Sequence, residues 1–401
     1  MPRPRFCPHP NCLYHRDPPP NARWYHKHGS HPTATFGSVQ RYRCTRCTRT
    51  FSDQTFSIDY WLKRKISYQR ICSELVGCSS TRHMSRVLGA SCDSIQNRIG
   101  RLSRNALVMQ EKAVADLTFL ENLASDGFVS FTESQYHPHH IHTLMGSVSQ
   151  FAYFWNEVTV RRTGRMTPAQ KAERARRELI WKPIRDGITH SFTEIYNRTA
   201  DLVTRERFRT CIFDTDEHRS YIRAFRKSAS AQHLKQSALI IHRRTPSTVA
   251  RTRQNPLFPV NYIDREIRKD LKNHVRETVC FARNQNNMMH RVSLYLWHHN
   301  FCKSFRIRDK KEEALPATHA EAAGIPAPKI QSMMRGFFTQ RAFFSRSCVS
   351  GSFKELWLNR LLTPMKPDPD YCQKHLQKQV VSHKFRDTTR GLLRHRLRDS
   401  T

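Results

Sequence analysis

Residues 126–160 read DGFVSFTESQYHPHHIHTLMGSVSQFAYFWNEVTV, and residues 210–216 read TCIFDTD. The first stretch holds three β-rich runs in quick succession, GFVSFT, HIHTLMGSV and FAYFWNEVTV, the last two parted by a tight polar turn. Such a series predicts an antiparallel meander. TCIFDTD predicts a further short strand. Between them, Pro168 to Leu179 predicts a charged helix with little apolar face, and Ser191 to Arg209 leads into the fourth strand. Beyond it come another helix and the apolar stretch ALIIH. From Asp264 to about Phe305 a long helical region carries Ile267, Leu271, Val275, Val292 and Leu296, with Arg and Lys between. The order β-β-β-α-β-α-β-α fits neither an all-helical nor a sandwich class. It predicts a mixed α+β or α/β domain over residues 120–308.

Upstream, residues 59–115 turn helical: Ile71, Leu75, Met84, Leu88, Ile95, Ile99 and Leu102 recur at three- and four-residue steps. Gly77 and Gly89 cut this run into three short helices. Ser79 or Ser80 is placed to cap the second, and the third begins near Ser91 or Asp93. Its polar face carries Ser94, Gln96, Asn97, Arg98 and Arg101. These residue types reach base edges and phosphates when a recognition helix lies in a major groove, so a helix-turn-helix is expected.

Residues 1–58 are rich in Cys, His, Pro and Arg and poor in aliphatics, so they need a metal to fold. Cys7 and Cys12 stand four residues apart in CPHPNC, and Cys44 and Cys47 two apart in RYRCTRCTRTF. Two such knuckles bring four thiolates round one zinc ion. His9 or His15 is the alternative fourth ligand. The other thiols, Cys72, Cys78, Cys92, Cys211 and Cys280, sit among apolar neighbours and are expected to be buried. His137, His139, His140 and His142 lie in a turn and strand entry without a companion acid or Cys pair, and are read as variable loop histidines. Residues 309–401 read as a linker, DKKEEALPATHAEAAGIPAPK, followed by a basic tail.

Among 401 residues, 68 Lys and Arg face 33 Asp and Glu, a formal charge of +35. That excess predicts a polyanionic partner, with nucleic acid ahead of a membrane surface. No apolar run reaches a membrane span, and MPRPRFCPHP lacks the apolar stretch of a secretory signal. A cytoplasmic, nucleoid-associated protein is expected, and its twelve cysteines argue for metal ligands over a disulfide framework.

In so basic a chain the acids at strand ends and helix starts stand out: Asp126 opening GFVSFT, Asp214 and Asp216 closing TCIF, and Asp264 opening the long helix. Asp214 and Asp216 project to one strand face, so spacing does not choose between them. Converging carboxylates of this kind hold two magnesium ions about 4 Å apart for phosphodiester chemistry. Glu266, Asp270 and Glu277 are ordinary helix-surface acids.

The chain resembles the transposases of the insertion-sequence-one family and their relatives. The matching stretches are QRYRCTRCTRTF, ELVGCSSTRHMSRVLGAS, TDEHRSY around Asp216, and YIDREIR followed by RETVCFARN; DGFVSFTESQYHP with the later RRTGRMT is similar to the first-acid region of a related subgroup. The resemblance runs from about residue 6 to about residue 306. It implies a zinc ribbon and helix-turn-helix joined to a ribonuclease-H-like domain, with Mg2+ or Mn2+ on Asp126, Asp216 and Asp264. It prefers Asp216 to Asp214. Many relatives carry Glu where Asp264 stands, which keeps Glu266 as an alternative, and His274 and Arg276 would neutralise phosphate beside the third acid. Double-stranded DNA at element ends and targets would be the partner, with at least a dimer holding two ends. Two rivals keep part of this reading: a non-catalytic DNA-binding regulator descended from such an enzyme, and a zinc-dependent RNA-binding module.

Overall fold

The structure, a computed structural model, describes residues 4–20, 23–205, 209–275, 278–306 and 316–364. Among these residues it is a mixed α/β chain of 13 α-helices and two sheets. No helix of the described residues is long and apolar enough to cross a membrane. The described residues divide into two compact units: those within 4–74, 81–116 and 325–349 form the first, and those within 75–80, 117–324 and 350–364 the second.

The first unit opens with α1 (Leu13–Arg16) and a three-stranded antiparallel sheet of β1 (Tyr25–Thr33), β2 (Gly37–Cys44) and β3 (Thr50–Ser52). Its small core is Trp24 and Phe51, stacked with ring centres 5.8 Å apart, packed with Cys7, Cys12 and Cys44. Even with the partly buried Tyr14, Tyr25, Tyr42 and Phe56 packed around it, this is a small core to set against the chain entropy of the segment. Helices α2 (Tyr68–Val76), α3 (Thr81–Val87) and α4 (Cys92–Ala115) follow. The Ser91 side chain caps α4 by accepting from the Ser94 N–H at 3.2 Å, and Asp93 in the first turn complements the helix dipole. Ile71, Met84, Ile95, Ile99 and Leu102 are buried, in keeping with their spacing. The third helix is not short, however: α4 runs 24 residues because the apolar repeat continues through Ala106, Leu107, Met109 and Ala113.

The second unit is built on a five-stranded sheet of order β6-β5-β4-β7-β8: β4 (Leu123–Phe131), β5 (Pro138–Gly146), β6 (Ala152–Thr159), β7 (Cys211–Asp216) and β8 (Ile240–Thr245). The expected meander β4-β5-β6 is antiparallel, and β7 and β8 add in parallel to the other side of β4. Between β6 and β7 lie α5 (Pro168–Glu178) and α6 (Gly187–Val203), and between β7 and β8 lie α7 (Arg219–Lys227) and α8 (Ala229–Gln236). The charged helix α5 buries no residue and is held by a Thr167/Gln170 capping box and by Glu173 and Glu178 paired with neighbouring arginines. By contrast α6 lays Phe192, Ile195 and Tyr196 against the sheet.

The expected long helix from Asp264 is instead two, α9 (Phe258–Asp270) and α10 (Gln285–Phe301), so Asp264 sits in the middle of a helix rather than at its cap. The start is set by Pro259, which is well tolerated in a first turn. Helix α10 is buried almost all round. Its Asn300 side chain accepts from the Ala152 N–H at 2.8 Å and donates to the Ala152 carbonyl at 2.9 Å, satisfying an edge position of β6. Likewise β4 begins at Leu123, so Asp126 lies within the strand rather than opening it.

The reading of residues 309–401 as linker and tail needs correction wherever they are described. Helices α11 (His319–Ala322), α12 (Ala327–Met334) and α13 (Gly351–Trp357) form there. In the first unit the Asn105 side chain donates to the carbonyls of Phe337 and Gln340 at 2.7 and 2.8 Å. In the second, Phe353 packs on Phe154 and Trp155 with ring centres 4.8 and 4.7 Å apart. Residues 365–401 lie outside the described residues.

Candidate metal centre and acidic site

Two chemically distinct clusters occur, one in each unit. In the first unit Cys7, Cys12, Cys44 and Cys47 offer sulfurs that all lie within 4.8 Å of one another. The Cys7–Cys47 pair is separated by 3.6 Å and the Cys12–Cys44 pair by 3.8 Å. A tetrahedron with metal–sulfur bonds of about 2.3 Å has edges of about 3.8 Å, so this donor set can hold a structural metal and is compatible with zinc. Backbone turns shape both knuckles. Cys12 N–H donates to the His9 carbonyl at 3.0 Å, and Thr48, at φ 58°, returns its N–H to Cys44 O at 3.1 Å. Burial pushes the Cys7 and Cys12 thiols up, a cost that a cation would reverse.

The longer first knuckle needs no histidine. His15 uses both ring nitrogens elsewhere, Nδ1 on the Cys7 carbonyl at 2.7 Å and Nε2 on Ser345 Oγ at 2.8 Å, so it is not the alternative ligand. His9 Nε2 lies 3.4 Å from the Thr50 carbonyl.

On α4 only part of the expected reading face is presented. Asn97 is exposed, and Ser94 and Gln96 are half-buried. Arg98 is a correction: it is buried, donating to the Ser94 carbonyl at 3.0 Å and the Arg64 carbonyl at 2.6 Å. Arg101 is likewise engaged, with Asn97 Oδ1 at 2.9 Å and the Ile58 carbonyl at 2.7 Å. Both guanidiniums tie α4 to the segment around residues 58–64. Their five donors suit that task, because backbone carbonyls outside regular structure need partners.

In the second unit Ala124 pairs with Asp214 in the parallel β4–β7 register. Two residues further along both strands, on the same face, stand Asp126 and Asp216. Residue Asp126 also pairs with Thr143 across β5, and α9 packs on this face of β4 and β5, bringing Asp264 toward Asp126. The consequences are electrostatic. Burial and the nearby Asp216 push the Asp126 carboxyl up to about 6, against the N–H of Gly127 at 2.7 Å and the hydroxyl of Tyr221 at 3.2 Å, both donating to Oδ1. Burial and Asp126 hold Asp264 well above the usual carboxylate range, and its Oδ1 is buried without a hydrogen-bond partner. Arg251 works in the opposite direction on both acids, and Arg268 on Asp264. Among the described residues only the four cysteines converge as closely as a bound metal requires; the three aspartates interact through space without closing to that degree.

The other acids are committed. Asp214 holds the Arg243 guanidinium through both oxygens, at 2.6 and 2.9 Å, while Asp216 Oδ1 accepts from the His218 N–H at 2.8 Å. Glu266 is paired with Lys269 at 2.8 Å and with Lys303, which hold its carboxyl below the usual range against the effect of burial. His274 is a further correction: burial lowers it to about 3, and its Nδ1 lies 2.8 Å from Ser130 Oγ, so it is a neutral core residue rather than a phosphate neutraliser. Arg276 lies outside the described residues.

The histidine cluster is not a variable loop. His139, His140 and His142 lie in β5, and His137, His139 and His142 are buried. His139 contacts Glu157 at 3.1 Å and Thr132 at 2.6 Å, which makes a polar strand position tolerable inside. His142 contacts Ser191 at 2.9 Å through Nδ1, and burial lowers it to about 3. Cys72 and Cys211 are buried as expected and Cys78 and Cys280 partly so, but Cys92 is exposed because it opens α4 beside the cap.

Sequence reasoning missed the support of the acids. Tyr221 is buried, stacked on Phe192 at 3.7 Å, and reaches Asp126 from the first turn of α7. Gly127 is required by close approach: a Cβ there would lie 2.5 Å from His142 Cδ2 and 3.2 Å from the Tyr221 hydroxyl. The glycine directly after Asp126 was the available signal. The chain matches no protein-family model and no curated protein.

Proposed function

We propose that this protein is a DNA transposase of the acidic-triad type, with Asp126, Asp216 and Asp264 as the divalent-cation ligands of a ribonuclease-H-like domain. The observation that carries the reading is that Asp126 and Asp216 lie two residues beyond the paired Ala124 and Asp214 on neighbouring parallel strands and interact, while Asp264 on α9 lies close enough to feel the Asp126 charge. Like charges gathered in a partly buried site, one with an orphaned oxygen, cost stability unless a cation joins them. The all-oxygen donor set suits Mg2+ or Mn2+. The sheet order, three antiparallel strands followed by two parallel ones, supports the ribonuclease-H-like assignment.

When bound, such cations polarise a phosphoryl oxygen and ease deprotonation of a water or 3′-hydroxyl. The chain's own residues prepare for that. Tyr221 and the Gly127 N–H fix one oxygen of Asp126. The His218 N–H does the same for Asp216. Arg251 and Arg268 supply positive charge beside the acids, where a phosphodiester would arrive. Water would first free a 3′-OH at the element end, and that hydroxyl would then attack target DNA, with no covalent protein intermediate.

End recognition falls to the first unit, a zinc ribbon with a helix-turn-helix that reads double-stranded terminal repeats through Ser94, Gln96 and Asn97. The protein works in the cytoplasm at the nucleoid, as at least a dimer, because two ends must be cut together. Magnesium-dependent nicking of DNA carrying the flanking ends tests the proposal. Tight binding of those ends without cleavage under any divalent cation would make the protein a transposase-derived regulator instead.

A further inference from the structure

Within the first unit lies a cavity of about 740 Å³. Small-molecule and cofactor sites occupy roughly 300–1,000 Å³, so the space holds a nucleotide-sized group with room for its neighbours. Its walls come from the residues before Cys7, the C-terminal half of α4 and the segment around residues 332–346. Arg5, Lys112, Arg335, Arg341 and Arg346 line it, and none of the described lining residues is acidic. The apolar part of the lining includes Phe6, Phe343, Met109 and Met333.

The cations and rings are organised together. Phe6 and Phe343 meet edge to face at 5.1 Å. The Arg346 guanidinium lies over Phe6 at 4.4 Å and that of Arg341 over Phe343 at 5.0 Å. Arg346 is also tied to the His15 carbonyl. Flat guanidinium planes backed by aromatic rings offer stacking surfaces as well as charge, and the exposed Lys112, Arg335 and Arg5 add a cationic rim.

We propose that this groove binds a short stretch of single-stranded nucleic acid, its phosphates on the cationic rim and a base against the arginine, phenylalanine and methionine surfaces. A duplex keeps its base faces stacked inside, so it cannot cover the apolar part of the lining and does not seat in the groove. Single strands expose both features at once, which is the combination that basic, aromatic-lined grooves recognise. The site is separate from the exposed Asn97 end of α4. It rests on nucleic acid being the partner, and not on the aspartate triad.

The test uses the full zinc-loaded chain and fluorescence anisotropy with a labelled oligothymidine and, separately, a duplex carrying the element ends. The double substitution Lys112→Ser with Arg335→Ser removes two exposed charges. Oligothymidine affinity should fall roughly tenfold, and the log–log salt slope should flatten by about 1.4, or about 0.7 per lost phosphate contact. Duplex affinity should change less than about twofold, whereas Asn97→Ala should lower duplex affinity and spare the oligothymidine. Unchanged oligothymidine affinity and slope in the double variant would overturn the proposal, as would equal losses for both ligands. Displacement of oligothymidine by polyglutamate at matched charge would assign the groove to acidic peptide instead. Binding of duplex alone by the unaltered protein would refute the groove but keep the transposase reading; binding of neither would remove both.

Discussion

The four cysteines and the three aspartates are both sets of potential metal ligands, yet they are assembled by different means. Each cysteine pair is closed by a local knuckle, and the two knuckles need only one short sheet to meet. The aspartates come from two strands and a helix, and nothing local joins them. Accordingly the sulfurs converge while the carboxylates stay apart, repelling one another. A neutral thiol can wait for its metal with neighbours at contact distance; an ionised carboxylate cannot. In the first unit a small core surrounds four cysteines able to hold a metal, whereas in the second the sheet and its helices bury an apolar core of their own.

The strongest way to break this contrast is to remove each ligand set. Chelating zinc, or Cys44→Ser, should unfold the ribbon outright, since structural zinc contributes on the order of 10 kcal/mol in small modules. Limited proteolysis should then open residues within 1–58 while the five-stranded unit stays intact; a ribbon that resists protease after full metal removal would contradict the account.

The aspartates should behave in the opposite sense. In metal-free protein the folded pKa of Asp126 is about 6 against an ordinary 3.8. The unfolded carboxyl ionises near 3.8 and the folded one only near 6, so the effect is nil below the ordinary value, grows as a penalty between the two, and is complete above about 6. Two pKa units correspond to about 3 kcal/mol. Asp126→Asn should therefore match the parent's stability near pH 4 and exceed it by up to that amount near pH 7.5, as urea unfolding would show. Added magnesium should stabilise the parent and not the variant. A variant less stable than the parent at both pH values would count against the crowded-charge description.

Gly127→Ala tests how tightly the acids are supported. The added methyl would collide with the His142 ring, and overpacking of this kind costs about 1–3 kcal/mol. An unchanged Tm would show that His142 moves aside freely. Smallest is the effect of Glu266→Gln, which removes a partner of Lys269 and Lys303 outside the acid cluster. It should cost about 1 kcal/mol and change cleavage less than about threefold.

What the sequence revealed follows the same division. Rare residues in short knuckles, and strands with strong β composition such as FAYFWNEVTV, carry their structure locally, so the four-cysteine cluster and the meander were legible. The helix bearing Asp264 was misplaced because the acid looked like a cap, while Pro259 five residues earlier marks the true first turn. Arg98 and Arg101 fit the polar face of a reading helix, but they bind carbonyls of Arg64 and Ile58, partners no periodicity reveals. The β5 histidines read as loop because burying them needs Glu157 and Ser191, which come from other elements. The described C-terminal helices are short, and their apolar residues fill gaps in two units instead of forming a face of their own.

The most direct measurement is magnesium-dependent cleavage of supercoiled DNA carrying the element ends, comparing the unaltered protein with Asp126→Ala, Asp216→Ala and Asp264→Ala, each checked for duplex binding. The account predicts cleavage by the unaltered protein and a loss on the order of a thousandfold or more in every variant, with duplex binding retained. Cleavage that survives Asp264→Ala but is lost in Glu266→Gln, or that survives all three alanine substitutions, would contradict it.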